Sequence, residues 1–230
     1  MSTPNKSKTT KNKTNNKSIV IFSAHSDDFV IGVGGTIAFY KEKGYKVYCY
    51  VFSYGENSHP WVEGKKVQNF RSHEAFEAAK VLGCDCKFFD LKELNFTQDA
   101  KKTKLKSKLK KIIEKINPEK IFTHSSEDPH PDHQAVNDIT LELYDSLKSK
   151  PQILSYSVWN PVEFKTRHPA LIISIKTTFK LKMVALHKFP SQRFNAIYPL
   201  MFFIWFRAIR DGWIIKSRFA EKFYLIRKGD

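Results

Sequence analysis

Short apolar runs alternate with stretches of helical spacing along most of the chain. Ile19 to Ala24, Tyr45 to Phe52 and Lys120 to His124 read as strands, apolar on both faces as expected when both sides are covered. Between them Val67, Phe70, Ala75, Ala78 and Leu82 recur at helical spacing and Gly83 closes that helix. Val136, Ile139, Leu143 and Leu147 mark another helix. Gly34-Gly35-Thr36 reads as the opening of a helix that reaches about residue 43, with Gly44 as its stop. A short strand is expected at Lys87–Phe89, strand character over 153–175 is broken by Pro161 and Pro169, a helix covers 176–188, and a closing strand runs near Phe223–Ile226. Such alternation predicts βαβ units. The fold class expected is α/β, a Rossmann-like three-layer fold with a mostly parallel sheet.

Charge changes this picture at two places. Residues 1–17 carry five Lys and no acid, with almost nothing to bury, and read as a disordered basic tail ahead of one domain over 18–230. Between 101 and 116 there are eight Lys and one Glu, yet Leu105, Leu109, Ile112, Ile113 and Ile116 form one stripe. That is an amphipathic surface helix with a basic outer face. Arginines and aromatics are missing from it, which argues against nucleic acid as a partner. The three cysteines, Cys49, Cys84 and Cys86, lack any framework spacing and fit a reducing cytoplasm. No apolar run is long enough for a membrane span. Residues 197–206 are rich in aromatics and followed by Arg207 and Arg210, a composition suited to peripheral contact with the inner face of a membrane.

Chemistry concentrates in two clusters. Ala24-His25-Ser26-Asp27-Asp28 follows the first strand, and His130-Pro131-Asp132-His133 follows the strand ending at His124. Both loops fall at the carboxyl ends of strands, where open α/β sheets hold their ligands. His25 and Asp28, three apart on one loop, can reach one ion, and His133 can supply a third ligand from across the sheet; catalytic zinc takes three such ligands. Asp27 is then left as a proton acceptor and His130 as a donor or cation toward a developing oxyanion. Asp132 is placed to orient His130 and raise its pKa. Gly32-Val33-Gly34-Gly35 matches neither the dinucleotide fingerprint nor the P-loop, and reads as a loop passing close to the site. On these residues alone, another metal hydrolase such as a phosphoesterase, or a non-enzymatic basic binding domain, stays open.

Ala24-His25-Ser26-Asp27-Asp28 resembles the Ala-His-Pro-Asp-Asp-Glu signature of the PIG-L/LmbE-like N-acetylsugar deacetylases. The stretch Phe122-Thr123-His124 through Asp128-Pro129-His130-Pro131-Asp132-His133 resembles their second motif. Arg71 with Glu74, Lys182 with Ala185-Leu186 and Ser191-Gln192, and Ala220-Glu221 with Phe223 follow in family order. The resemblance implies a hydrolase with one zinc ion per chain that removes acetyl from a glucosamine-type sugar in nucleotide-, lipid-linked or glycoside form. It implies His25, Asp28 and His133 as zinc ligands, Asp27 as base, His130 as acid or oxyanion partner and Arg71 as a substrate contact. Some relatives are oligomers. Two departures stand out: Ser26 replaces the family's Pro, which loosens the loop, and Phe29 replaces its Glu, which threatens support of the loop from behind.

Overall fold

The computed structural model describes residues 17–56, 61, 63–160 and 168–230. Seven strands, β1 (Ser18–Ser23), β2 (Lys46–Val51), β3 (Asp85–Phe88), β4 (Lys120–His124), β5 (Gln152–Tyr156), β6 (Ala170–Ser174) and β7 (Ala220–Arg227), form one sheet in the order β3-β2-β1-β4-β5-β7-β6. Neighbours run parallel from β3 to β5, whereas β7 is antiparallel to both β5 and β6. The connecting helices are α1 (Asp28–Glu42), α2 (Gly64–Leu82), α3 (Phe96–Lys102), α4 (Leu105–Ile116), α5 (Pro131–Ser146), α6 (Phe179–Leu186) and α7 (Tyr198–Ile214).

Side chains alternate across β1. Ile19 and Ile21 join a core built with α1, α2, α6 and α7 on one face of the sheet. Val20 and Phe22 join a second core with α3, α4 and α5 on the other. The result is the expected three-layer α/β arrangement. The α4 stripe turns Leu105, Leu109 and Ile113 inward, as its spacing requires.

The order of the parallel strands reverses between β1 and β4. This is the switch point at which adjacent connections depart to opposite faces and leave a crevice beyond the strand ends. Both chemical clusters emerge there.

Three sequence expectations need correction. Helix α1 starts at Asp28, well before Gly34, because the Asp27 carbonyl already accepts from the Val30 and Ile31 N–H groups at 3.0 and 3.1 Å. The glycines therefore sit inside a helix, where each costs about 1 kcal/mol relative to Ala. They remain because α1 lies close to its neighbours. A Cβ on Gly32 would strike the Tyr156 ring, and one on Gly35 would lie 2.6 Å from Ile175 Cδ1. Strand β3 begins at Asp85, since parallel pairing with β2 runs from Tyr48–Asp85 to Val51–Phe88. Lys17, assigned to the tail, pairs with Glu119 at 2.9 Å. The rest of the tail, residues 1–16, and the break at Pro161 lie outside the described residues.

Landmarks remote in sequence meet in space. Glu74 on α2 accepts from the backbone N–H and the hydroxyl of Ser191. Lys182 on α6 pairs with Glu221 on β7 at 2.6 Å, and both reach into α1. Lys182 Nζ donates to the Ile31 carbonyl at 2.7 Å, while Glu221 accepts from the Gly35 and Thr36 N–H groups at 3.1 and 2.8 Å. These pairs brace α1 and hold the segment around Gln192 beside the crevice.

Candidate metal centre

The turn after β1 is fixed by its own side chains. Ser23 Oγ donates to the His25 carbonyl at 2.7 Å and accepts from the Phe29 N–H at 3.1 Å. Asp28 Oδ2 accepts from the His25 N–H at 2.8 Å, and His124 Nε2 accepts from the Ala24 N–H at 2.9 Å. This geometry folds His25 and Asp28 back onto one point. From the other side of the switch point, Pro131 opens α5 and turns His133 inward, fully buried.

His25, Asp28 and His133 each offer a donor atom, and the three atoms lie within 4.8 Å of one another. Asp28 Oδ2 is 3.4 Å from His25 Nδ1 and 3.3 Å from His133 Nε2. His133 Nε2 is buried without a hydrogen-bond partner, although Asp28 Oδ2 faces it at 3.3 Å. Two imidazole nitrogens and a carboxylate oxygen, buried and with one nitrogen orphaned, form a donor set that suits a divalent ion such as zinc. The remaining nitrogen of His133 lies 2.9 Å from Asp128 Oδ1. The other Asp128 oxygen accepts from the Val158 and Trp159 N–H groups, so this carboxylate ties His133 to the loop after β5.

Protons hold the cluster together when no ion is bound. Burial alone would lower the His25 pKa, but hydrogen bonds to Asp132 and Asp28 outweigh it and lift it to about 10. His133 is likewise pushed down by burial and then lifted to about 9 by Asp28 and Asp128. Burial would raise Asp28, yet the charge of His133 and contacts with both histidines hold it well below the usual carboxylate range. Ligation needs neutral imidazoles, so an entering ion displaces protons. Both histidines are therefore protonated at neutral pH without the ion, and metal affinity rises with pH until about 10, where His25 has also lost its proton. Calorimetry at pH 7 in buffers of different ionisation enthalpy is expected to count about two protons released per ion. Release of none would show that the histidines are already neutral.

Asp27 projects from the same turn into a cleft of about 190 Å³. Burial, followed by the nearby Asp28 charge, pushes its carboxyl pKa up. Arg71 on α2 lies 3.5 Å from Asp27, donates to the Gly55 carbonyl at 2.7 Å and donates from Nε to Ser26 Oγ at 3.1 Å. Arg71 thus lines the cleft while gripping the turn after β1. Ser26 is a hydrogen-bond acceptor for it, a role that the Pro of the family signature could not play.

His130 stands on the cleft wall, its ring 4.8 Å from those of His25 and His133. Its Nδ1 accepts from the Asp132 backbone N–H, which leaves Nε2 to carry the proton. The expected part of Asp132 changes here. Its carboxylate faces His25 Nε2 at 3.2 Å and accepts from the Leu94 N–H, instead of orienting His130. The His130 pKa is lowered, by burial first and then by the charges of His25 and His133, so the ring is a neutral donor at pH 7.

Phe29 points away from this centre into the apolar core, fully buried. Support of the turn comes from Ser23, His124 and Asp28. Phe29→Glu is expected to destabilise the fold by roughly 3 kcal/mol or more, through lost packing and a buried carboxylate. Thermal melts check this; an unchanged melting temperature with tighter metal binding would show that a partner for the carboxylate is waiting there.

Several site residues went unassigned in the sequence. His124 and Asp128 lie inside the second motif, yet spacing gave no reason to assign either a task. Glu93, Trp159, Gln192 and Asn195 also line the cleft, brought there by three separate loops.

Residues 20–144 match the family model described as PIG-L: GlcNAc-PI de-N-acetylase. The chain belongs to this family. It is 36% identical over 121 residues to a 4-oxalmesaconate hydratase of Pseudomonas putida, a match covering 50% of this chain and 46% of that protein. The matched stretch thus spans about half the length of that hydratase. A crystal structure of GalB, the 4-carboxy-2-hydroxymuconate hydratase of Pseudomonas putida, superposes with a TM-score of 0.79 at 23% identity, covering 93% of this chain and 98% of that one. The N,N'-diacetylchitobiose deacetylase of Pyrococcus horikoshii superposes with a TM-score of 0.76 at 22% identity, covering 91% and 84%. The PIG-L fold is thus shared by deacetylases and hydratases.

Proposed function

We propose that this PIG-L chain is a zinc-dependent hydrolase that removes an acetyl group from the 2-amino group of a glucosamine-type sugar. The observation that carries the reading is the convergence of His25, Asp28 and the buried His133 within 4.8 Å, beside a cleft that His25, Asp27 and Asp28 line. One zinc ion per chain, held by those three residues, would supply Lewis acidity to polarise the acyl oxygen and activate water.

The chain's own groups do the rest. Asp27, its affinity for protons raised by burial, takes the proton from the attacking water and passes it to the departing amine. Nε2–H of His130 donates to the oxygen on which negative charge develops. The Arg71 guanidinium, 3.5 Å from Asp27, opposes that rise in proton affinity by favouring the ionised carboxylate, and keeps it aimed. Trp159 offers a flat apolar wall for a sugar ring, with Gln192 and Asn195 as partners for its hydroxyls. The reduced Cys49, Cys84 and Cys86 suit a cytoplasmic setting.

The 36% match to a hydratase favours a second reading, addition of water to an unsaturated acid, with Arg71 meeting a carboxylate. Elemental analysis paired with acetate release from a panel of N-acetylglucosamine conjugates tests the first reading. One zinc per chain with acetate released supports it. Zinc with no acetate, and hydration of an unsaturated dicarboxylate instead, would replace it by the second.

A further inference from the structure

Helix α7 is apolar on both sides. Leu200, Ile204 and Ala208 face the core, while Tyr198, Phe202, Trp205, Phe206, Ile209 and Trp213 lie exposed on the opposite face. Phe202 and Trp213 are 70% and 78% exposed, and Phe194, one turn before the helix, is 76% exposed. A helix apolar all round belongs in a core or against lipid, and a continuous aromatic face of this kind marks a contact surface.

Charge decides what that surface meets. Between Lys176 and Arg218 the chain carries nine Lys and Arg, of which Lys182 is buried against Glu221, and a single acid, Asp211. Asp211 is buried and paired with Arg210. Arg193, Lys216 and Arg218 are exposed at the two ends of the aromatic stripe. An isologous contact with a second copy would bring these like charges together. An anionic bilayer meets both features at once: its headgroups take the cations and its interface takes Trp, Tyr and Phe.

We infer that α7 is an interfacial docking helix, which seats the protein on an anionic lipid surface with the aromatic stripe buried at the headgroup boundary. It lies on the membrane and does not cross it. Among the described residues no helix is long and apolar enough to span a bilayer, and the inner face of α7 is packed on the sheet.

The position of the stripe gives docking a consequence for the site. Asn195 and Ala196 line the cleft, and Phe194 sits beside them at the start of the stripe. A docked α7 therefore brings the cleft mouth to the membrane plane, which suits an amino sugar carried on a lipid. This last step rests on the proposed deacetylase reading; docking itself does not.

The test is sedimentation of the full chain with phosphatidylcholine vesicles, with and without phosphatidylglycerol, in the absence of substrate. Binding is expected to need the anionic lipid, to weaken with added salt and to move Trp fluorescence to shorter wavelength. The Phe202→Ser, Trp213→Ser double variant is expected to lose about tenfold or more in partitioning, since each ring withdraws apolar area from water. Both sites are exposed, so its thermal melt and its hydrolysis of a water-soluble substrate should be unchanged. A chain that stays in the supernatant with anionic vesicles overturns the inference. So does a doubled mass by light scattering that reverts to one chain in the double variant, because a second copy would then cover the face.

Discussion

Replacing His133 by Ala is expected to abolish metal binding and turnover together. His133 is fully buried, with Asp28 3.3 Å from one nitrogen and Asp128 2.9 Å from the other. Its loss removes one of three donors and also leaves two buried carboxylates facing a hole. Breaking a buried pair in this way costs about 3–5 kcal/mol. The fall in stability should therefore be visible in the ion-free protein, apart from any metal effect. Elemental analysis and thermal melts on parent and variant, each with and without a chelator, separate the two. His133→Asn, which keeps polarity but shortens the reach, should recover part of the stability and little of the metal. Full zinc content in His133→Ala would remove this residue from the ligand set and turn attention to His124, whose ring stacks on it at 3.9 Å.

Asp27→Ala is expected to give the opposite separation. Turnover should fall by about 10²–10⁴-fold, the usual contribution of a positioned general base. Metal content should stay at the parent level, because Asp27 is outside the group of donors that converge on Asp28. Arg71 loses a neighbour 3.5 Å away but keeps Ser26 and Gly55, so the turn should hold its shape. Asp27→Asn removes the basic oxygen at nearly constant volume and should match Asp27→Ala in rate. Parent-like turnover in both variants would transfer the role of base to Glu93, the remaining acid on the cleft wall besides Asp28.

The local pattern carries much of this. Alternation of apolar runs and helical stripes is a short-range property, so β1, β4, the α4 stripe and the carboxyl-end position of both clusters follow from neighbours along the chain. The start of α1 does not. Gly32, Gly34 and Gly35 look like a loop because a helix has no local reason to hold them. Tyr156 against Gly32 and Ile175 against Gly35, each more than a hundred residues away, supply that reason by leaving no room for a Cβ.

The cluster residues divide in the same way. His25, Asp27, Asp28 and His133 stand out because imidazoles and carboxylates at strand ends need an explanation wherever they occur. The partner of each is a matter of distance across the switch point. Asp132 stands two positions after His130 and its N–H donates to that ring, yet its carboxylate turns to His25 and Leu94. Asp128 and His124 acquire their tasks only once β4, β5 and α5 are side by side. Phe29 departs from the motif but lies outside the site, because it faces the core.

The sequence by itself determined the layered α/β class, the two clusters of imidazoles and carboxylates and the aromatic character of 197–206, since residue type and spacing are enough for each. Only the tertiary structure decided which donors share one point, which carboxylate orients which ring, and which side of α7 faces water. Those depend on contacts between segments separated by scores of residues, and spacing along a chain holds no information about distance through space.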